Sequence, residues 1–413
     1  MIEKVKIKEK EFKKYKGIIE KGLFLEIKNL ASKLKGKRII HINSTALGGG
    51  VAEILRTLVP LMKSIGLEAE WYTIPGDKKF FDKKFLHDSL QGAKGDLPDD
   101  FFSYYLFHLE KLAKLFKDIS ADAWVIHDPQ PAGLINFLPD LHPSICRLHI
   151  DTSHPNKKTL DFLLPILNAY DRVIFSMNEF ACAGIQRNKI KIFRPAIDPF
   201  SSKNKKMSTK KAKDIVKKVG INPEKPLVSQ VARFDPWKDP IGSINAYQIA
   251  KCKIPNLQFA FLGFFIAKDD PGAERIYKEV KEKVKDKNVF LFADPKIIGK
   301  IDIDTFVNAI QTASNVILQK SIREGFGLVV SEAMWKEKVV IGGNVGGIKS
   351  QIKDSNNGFL VNSSKEAAER IIEIFQKKEI RKKIGKAAKE TVRKNFLMPR
   401  LLKDYLYLFE EII

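Results

Sequence analysis

Two α/β domains, each built on a parallel, doubly wound sheet, form the fold class that the sequence predicts, and three observations carry it. At 413 residues the chain is long enough for two cores. Apolar runs of strand length alternate with amphipathic stretches of helix length through both halves, which is the pattern of βαβ units. Between the halves, Arg194–Asn204 (R-P-A-I-D-P-F-S-S-K-N) opens with a proline, closes polar and leads through a Lys-rich segment to a fresh start at Leu227, as a hinge and linker does. Domains are therefore expected at 1–204 and 205–395.

Residues 1–36 alternate charge with apolar residues at helical spacing, which predicts helices leading into a first strand, Lys37–Asn43. The Gly-rich S-T-A-L-G-G-G that follows runs straight into helical V-A-E-I-L. It is not the dinucleotide fingerprint, because three adjacent glycines replace G-x-G-x-x-G and no acidic residue ends the next strand, Glu68–Thr73. Then come helical Asp99–Ile119, strand Ala123–His127, a short helix near Gly133–Leu138, strand Ser144–Ile150, helix Lys157–Tyr170, and strands Arg172–Phe175 and Lys191–Phe193. In the second half, strands are expected at Leu227–Ala232, Leu257–Gly263, Val289–Phe292, Asn315–Gln319 and Val339–Gly342, with an extended Gly358–Val361 before two charged helices. Loops at the carboxyl ends of such strands carry function. Three of them are rich in candidate groups: His127–Pro131, His149–Asp151 and Ser176–Glu179.

No apolar run approaches the roughly 20 residues of a membrane span, and the N-terminus lacks a signal-peptide core, so a cytoplasmic protein without a membrane partner is expected. Cys146, Cys182 and Cys252 offer neither a disulfide framework nor metal-ligand spacing. The net charge of +23 is spread out, with dense patches in residues 1–38 and Lys203–Lys218. No nucleic-acid motif or aromatic ladder accompanies those lysines, so the basic field is read as steering an anionic small substrate, not nucleic acid.

The chemistry concentrates in Ser321–Trp335, S-I-R-E-G-F-G-L-V-V-S-E-A-M-W. A buried strand precedes it and good helix formers follow, so Glu324 falls where a parallel strand ends. Gly325 and Gly327 let the backbone come close to a ligand, and the free N–H groups of a new helix, from Leu328 on, point into that opening. Glu332 lies two turns further in. One carboxylate can hold sugar hydroxyls, the other a ribose, and the amides a phosphate. The companion stretch is Val231–Pro240, V-A-R-F-D-P-W-K-D-P, about 90 residues earlier. There Arg233 follows a strand and Lys238 precedes a helix, a guanidinium and an ammonium suited to a diphosphate.

E-G-F-G-L followed by S-E-A resembles the paired-glutamate motif of retaining glycosyltransferases of the GT-B fold, glycosyltransferase family 4, and R-F-x-x-x-K resembles their phosphate clamp. The resemblance implies two Rossmann-like domains facing a deep cleft, with Phe396–Ile413 crossing back onto the first. It implies that Arg233, Lys238, Glu324 and His149 act in catalysis, while Gly325, Phe326, Gly327, Leu328 and Glu332 join the first three in holding the donor. H-I-D resembles the family histidine near the donor anomeric carbon, which is His149. The glycine loop, Gly48, Gly49 and Gly50, is expected to touch substrate, and V-I-H-D-P-Q-P resembles an acceptor-contacting segment, giving Asp128 and Gln130. Asp128 could instead cap the next helix. Gly346-Gly347-Ile348 resembles a second glycine loop below the nucleotide.

Over nearly its whole length the chain is similar to trehalose glycosyltransferring synthases, down to G-G-G-V-A-E-I-L, H-D-P-Q-P, P-A-I-D-P and A-M-W-K. That implies transfer of glucose from UDP- or ADP-glucose to free glucose, giving α,α-trehalose, with no required cofactor or metal, at most a non-essential stimulation by magnesium, and a homodimer left open. The alternatives are a trehalose phosphorylase or another nucleotide-sugar transferase and, from another class, a basic nucleotide-sensing or nucleic-acid-binding protein.

Overall fold

In a computed structural model, residues 2–46, 49–81, 86–93, 97–98, 100–264 and 271–413 are described. The chain divides into two compact units, Met1–Ala196 with Met398–Ile413, and Ile197–Leu397.

Among the described residues the first unit holds seven strands: β1 (Glu3–Lys4), β2 (Arg38–Asn43), β3 (Glu68–Thr73), β4 (Ala123–His127), β5 (Ser144–Arg147), β6 (Arg172–Phe175) and β7 (Ile190–Ile192). They lie in the order β1-β3-β2-β4-β5-β6-β7, parallel except for β1. The helices expected in residues 1–36 reduce to one full helix, Lys21–Lys33, preceded by a 3-10 turn. Glu3 and Lys4 instead pair with β3 as an edge strand, with Ile2 packed on the core. Strand β5 ends at Arg147, three residues before the expected Ile150, where the chain turns toward Asp128. Strands β2 and β4 are almost wholly buried, as parallel strands covered on both faces must be. The C-terminal helix Met398–Ile412 buries Leu401, Leu402, Tyr405 and Phe409 in this unit, where Tyr405 meets Arg147.

The second unit is an all-parallel sheet of β8 (Leu227–Val231), β9 (Gln258–Leu262), β10 (Val289–Phe292), β11 (Val316–Gln319), β12 (Val339–Gly343) and β13 (Phe359–Val361). Their order, β10-β9-β8-β11-β12-β13, is the 3-2-1-4-5-6 order of doubly wound nucleotide-binding sheets. Alternate residues serve opposite faces: Val228, Phe259 and Phe261 enter one core, Leu227, Ala260 and Leu262 the other. Aspartate and serine caps start several covering helices, Asp302 accepting from the Thr305 amide and Ser363 from the Glu366 amide. Ile197–Asn204 goes with this unit, because the Asn308 amide donates to the carbonyls of Ser202 and Lys205.

In each sheet the winding reverses at one place, between β2 and β4 in the first unit and between β8 and β11 in the second. Ligands of such sheets bind outside the carboxyl ends of the strands at that point. The segments leaving there are Ser44–Ala46, ahead of the helix that starts at Gly49, and Asp128–Pro131 in one unit, and Ala232–Asp239 and Lys320–Gly327 in the other.

Candidate functional site

The two loops at the switch point of the second sheet are tied to each other. The Ile322 amide donates to the Trp237 carbonyl at 2.8 Å, and Lys320 pairs with Asp239. Lys238, at the end of a short 3-10 turn, reaches across to put Nζ 2.7 Å from Glu324 Oε1, with side-chain exposures of only 18% and 9%. Ser321 Oγ donates to the other carboxylate oxygen at 3.1 Å. A compact, desolvated cation–anion pair thus sits where two strand ends diverge.

Glycine is required around Glu324 for close approach. Gly327 adopts φ +79° to start the helix Leu328–Trp335, whose first turn has no side-chain cap. A Cβ on Gly346 would fall 1.9 Å from the Glu324 carbonyl oxygen. The Gly347 amide donates to that same carbonyl at 3.1 Å, so the second glycine turn braces the backbone of the first. Gly325 completes the turn, and Phe326 is buried edge-on to Phe396, their centroids 5.6 Å apart.

Glu332 is 1% exposed on that helix, and neither carboxylate oxygen has a hydrogen-bond partner among the described residues. Lys203 Nζ lies 3.6 Å from Glu332 Oε1 and 4.0 Å from Asp304. Arg233 is more than half exposed and pairs with Asp235 at 3.1 Å. The structure brings together Lys238, Glu324 and Ser321 and, separately, Glu332 and Lys203, while Arg233 pairs with Asp235.

In the first unit, Gly49 and Gly50 open the helix Gly49–Ser64, while Gly48 lies outside the described residues. Asp128 holds φ +66°, an uncommon conformation for a non-glycine residue at the carboxyl end of a strand. It does not cap the short helix after it; its Oδ1 accepts the His149 amide at 2.8 Å. Burial raises its carboxyl above the usual aspartate range, against the charge of His87 and the His149 hydrogen bond. Gln130 is buried beside it. His149 is half-buried, and its Nε2 lies 2.9 Å from His127 Nδ1.

Sequence reasoning passed over Lys203, Ser321 and His41 as site residues and, although it placed His127 in a candidate loop, gave it no role. Lys203 was read only as linker charge, and Ser321 as the edge of a motif. The histidines did carry a signal, since three neighbouring strands each place one at or near the carboxyl end.

Residues 41–182 match the family model of the trehalose synthase N-terminal domain, and residues 211–391 that of glycosyl transferases group 1. Trehalose synthase of Rubrobacter xylanophilus is 40% identical over 100% of both chains, and that of Pyrococcus horikoshii is 43% identical over 95% of this chain and 94% of its own. The chain belongs to the trehalose synthase family of glycosyltransferases. Trehalose phosphorylase of Grifola frondosa is a more distant relative, 27% identical over 86% of this chain and 54% of its own. Among solved structures, a UDP-forming trehalose-phosphate synthase of Burkholderia xenovorans superposes with a TM-score of 0.72 at 14% identity, over 91% of this chain and 99% of that one. Sucrose-phosphate synthase of Thermosynechococcus elongatus gives 0.70 at 17%, over 91% and 98%. These confirm the GT-B fold of a trehalose synthase family member. No helix among the described residues is long and apolar enough to cross a membrane.

Proposed function

We propose that the protein is a retaining glucosyltransferase that moves glucose from a nucleoside diphosphate glucose to free glucose, forming α,α-trehalose. The observation that carries this reading is the Lys238–Glu324 pair at the switch point of the second sheet. Lys238 supplies fixed positive charge for a departing phosphate oxygen, and Glu324, already oriented by Lys238 and Ser321, supplies acceptor oxygens for donor-sugar hydroxyls. Glu332, buried with no donor on either oxygen, suits a ribose diol. The uncapped amides from Leu328 onward, with Phe326 and the glycines 325 and 327, cover the diphosphate. Arg233 adds a second cation by exchanging Asp235 for phosphate.

In the reaction the bond from the anomeric carbon to the phosphate oxygen breaks, and a bond to the acceptor hydroxyl oxygen forms on the same face of the sugar. The hydroxyl proton passes to the leaving phosphate, so neither glutamate is needed as an acid. The first unit is assigned the acceptor: the glycine loop 48–50, Asp128 and Gln130, with His149 serving the donor sugar. The full-length relatives are called trehalose synthases, which supports a free-sugar acceptor; the trehalose-phosphate synthases resemble the chain only in fold.

The test is a panel of nucleotide glucoses, each incubated with glucose, and separately glucose 1-phosphate with glucose. Disaccharide is expected only from the nucleotide donors, with release of the diphosphate. Disaccharide from glucose 1-phosphate, with release of inorganic phosphate, would make the protein a phosphorylase instead.

A further inference from the structure

Three histidines line one face of the first sheet in a continuous chain. His41 Nδ1 lies 3.0 Å from His127 Nε2, and His127 Nδ1 lies 2.9 Å from His149 Nε2. The rings stack with centroids 5.3 and 5.2 Å apart and tilts of 23° and 25°. This alignment follows from the register: β2, β4 and β5 are adjacent, and His127 is the direct partner of Arg147, two residues before His149. His41 and His127 are fully buried, whereas His149 is half-buried.

Burial holds all three rings well below the usual imidazole value, His41 at about 3, with the Arg147 charge adding to the effect in each case. Each ring is therefore neutral and carries one N–H. Two proton orders satisfy both hydrogen bonds. If protons point toward His41, that ring carries its proton on Nε2, a buried position with no partner among the described residues, and an N–H is stranded. If they point toward His149, only a lone pair is left at His41 Nε2. A buried N–H without an acceptor is the costlier defect.

We propose that His127, backed by His41, is a positioning residue that fixes His149 as the tautomer protonated on Nδ1, so that His149 meets the sugar as an N–H donor and not as a lone pair. This rests on the assignment of His149 to the donor sugar. The chain commits Nε2 of His149 to His127 and leaves Nδ1 for anything outside it. The Nδ1–H can donate to a hydroxyl oxygen of the bound sugar, and with the Nε2 lone pair taken up by His127 the ring has no free lone pair with which to act as a base.

The test labels the imidazole nitrogens of the full chain and reads their resonances with no substrate present. Nδ1 of His149 is expected to be of the protonated type and Nε2 of the bare type; the reverse, or an averaged signal, overturns the proposal. That readout does not depend on which sugars are used, so it can fail while trehalose formation stands, and the converse. Two variants add the functional link. In His127→Asn the amide can replace the Nδ1–H donor and should keep both the tautomer and kcat near wild type. In His127→Phe the donor is lost; His149 should become a tautomer mixture, and kcat should fall about tenfold or more, as for lost partners behind a functional imidazole, with little change in donor KM. Equal losses in both variants with an unchanged His149 tautomer would mark a structural role and overturn the proposal.

Discussion

Replacing Lys238 by methionine keeps most of the side-chain volume, deletes the charge, and should separate what the pair does for folding from what it does for chemistry. In the native protein the ammonium is 18% exposed and the carboxylate 9%, at 2.7 Å. Without Lys238, the Glu324 carboxylate keeps, among the described residues, the Ser321 hydroxyl. Removing one partner of a buried pair costs about 3–5 kcal/mol, and the residual exposure here argues for the lower end, about 3. For a unit of about 200 residues that lowers Tm by roughly 6–12 °C. Turnover should fall further, by about 10²–10³, the loss typical when one preorganised charge-stabilising group is removed. The double variant Lys238→Met/Glu324→Gln removes both charges, so about half or more of the lost Tm should return through the pair's coupling. Activity should not return with it. The assays are thermal unfolding and initial rates on the same preparations. A Lys238→Met enzyme within a few-fold of wild-type kcat, or a double variant that recovers rate along with Tm, would refute the reasoning.

Glu332→Gln should raise the donor KM with a smaller loss of kcat, because a ribose contact is nearly equal in ground and transition states; calorimetric titration with UDP and ADP checks it, and unchanged affinity contradicts it. Free glucose should outcompete glucose 6-phosphate at equal concentration, since Asp128 carries negative charge toward any phosphate. Arg56, at the glycine loop, donates to the Ala46 carbonyl at 2.6 Å and is held there, so Arg56→Ala should leave the preference for glucose unchanged. Acid should destabilise the first unit early. Its three chained histidines titrate lower folded than unfolded, so below about pH 6.5 the unfolded chain binds more protons, and stability is lost as pH falls, at up to roughly 1.4 kcal/mol per pH unit for each ring. Glu70, held at about 2 with Lys4, Tyr72 and Arg38 overcoming its burial, adds a loss in the same direction only below about pH 4.5, while Asp128 works the opposite way. Urea unfolding between pH 7 and 5 should therefore show a slope that His41→Phe reduces by one proton.

The strands at Val316–Gln319 and Leu227–Val231 were legible because parallel strands buried on both faces read as apolar runs, and Glu324 and Lys238 because each motif follows such a run. Their meeting was not legible. It depends on β8 and β11 being neighbours, and strand order is set by packing of the whole sheet. Glu3–Lys4 escaped because two charged residues on an edge carry no hydrophobic signature. Asp128 offered two readings from sequence, a cap or a substrate contact, and the structure shows a third, a bond to the His149 amide. The partnership of Lys203 with Glu332 could not be read either, since a lysine in a lysine-rich linker gives no sign of which carboxylate it meets. The histidine chain lay in plain sight as three strand-end histidines, but only the register shows that they share a face.

The most direct test of the account uses a nucleoside diphosphate glucose carrying heavy carbon at its anomeric position, unlabelled glucose and the purified protein, followed by nuclear magnetic resonance of the products. The account predicts a non-reducing disaccharide with the label in one ring only, both anomeric carbons in the α configuration and joined through one oxygen. A β-configured labelled carbon, a reducing disaccharide, or label recovered only as free glucose would contradict it.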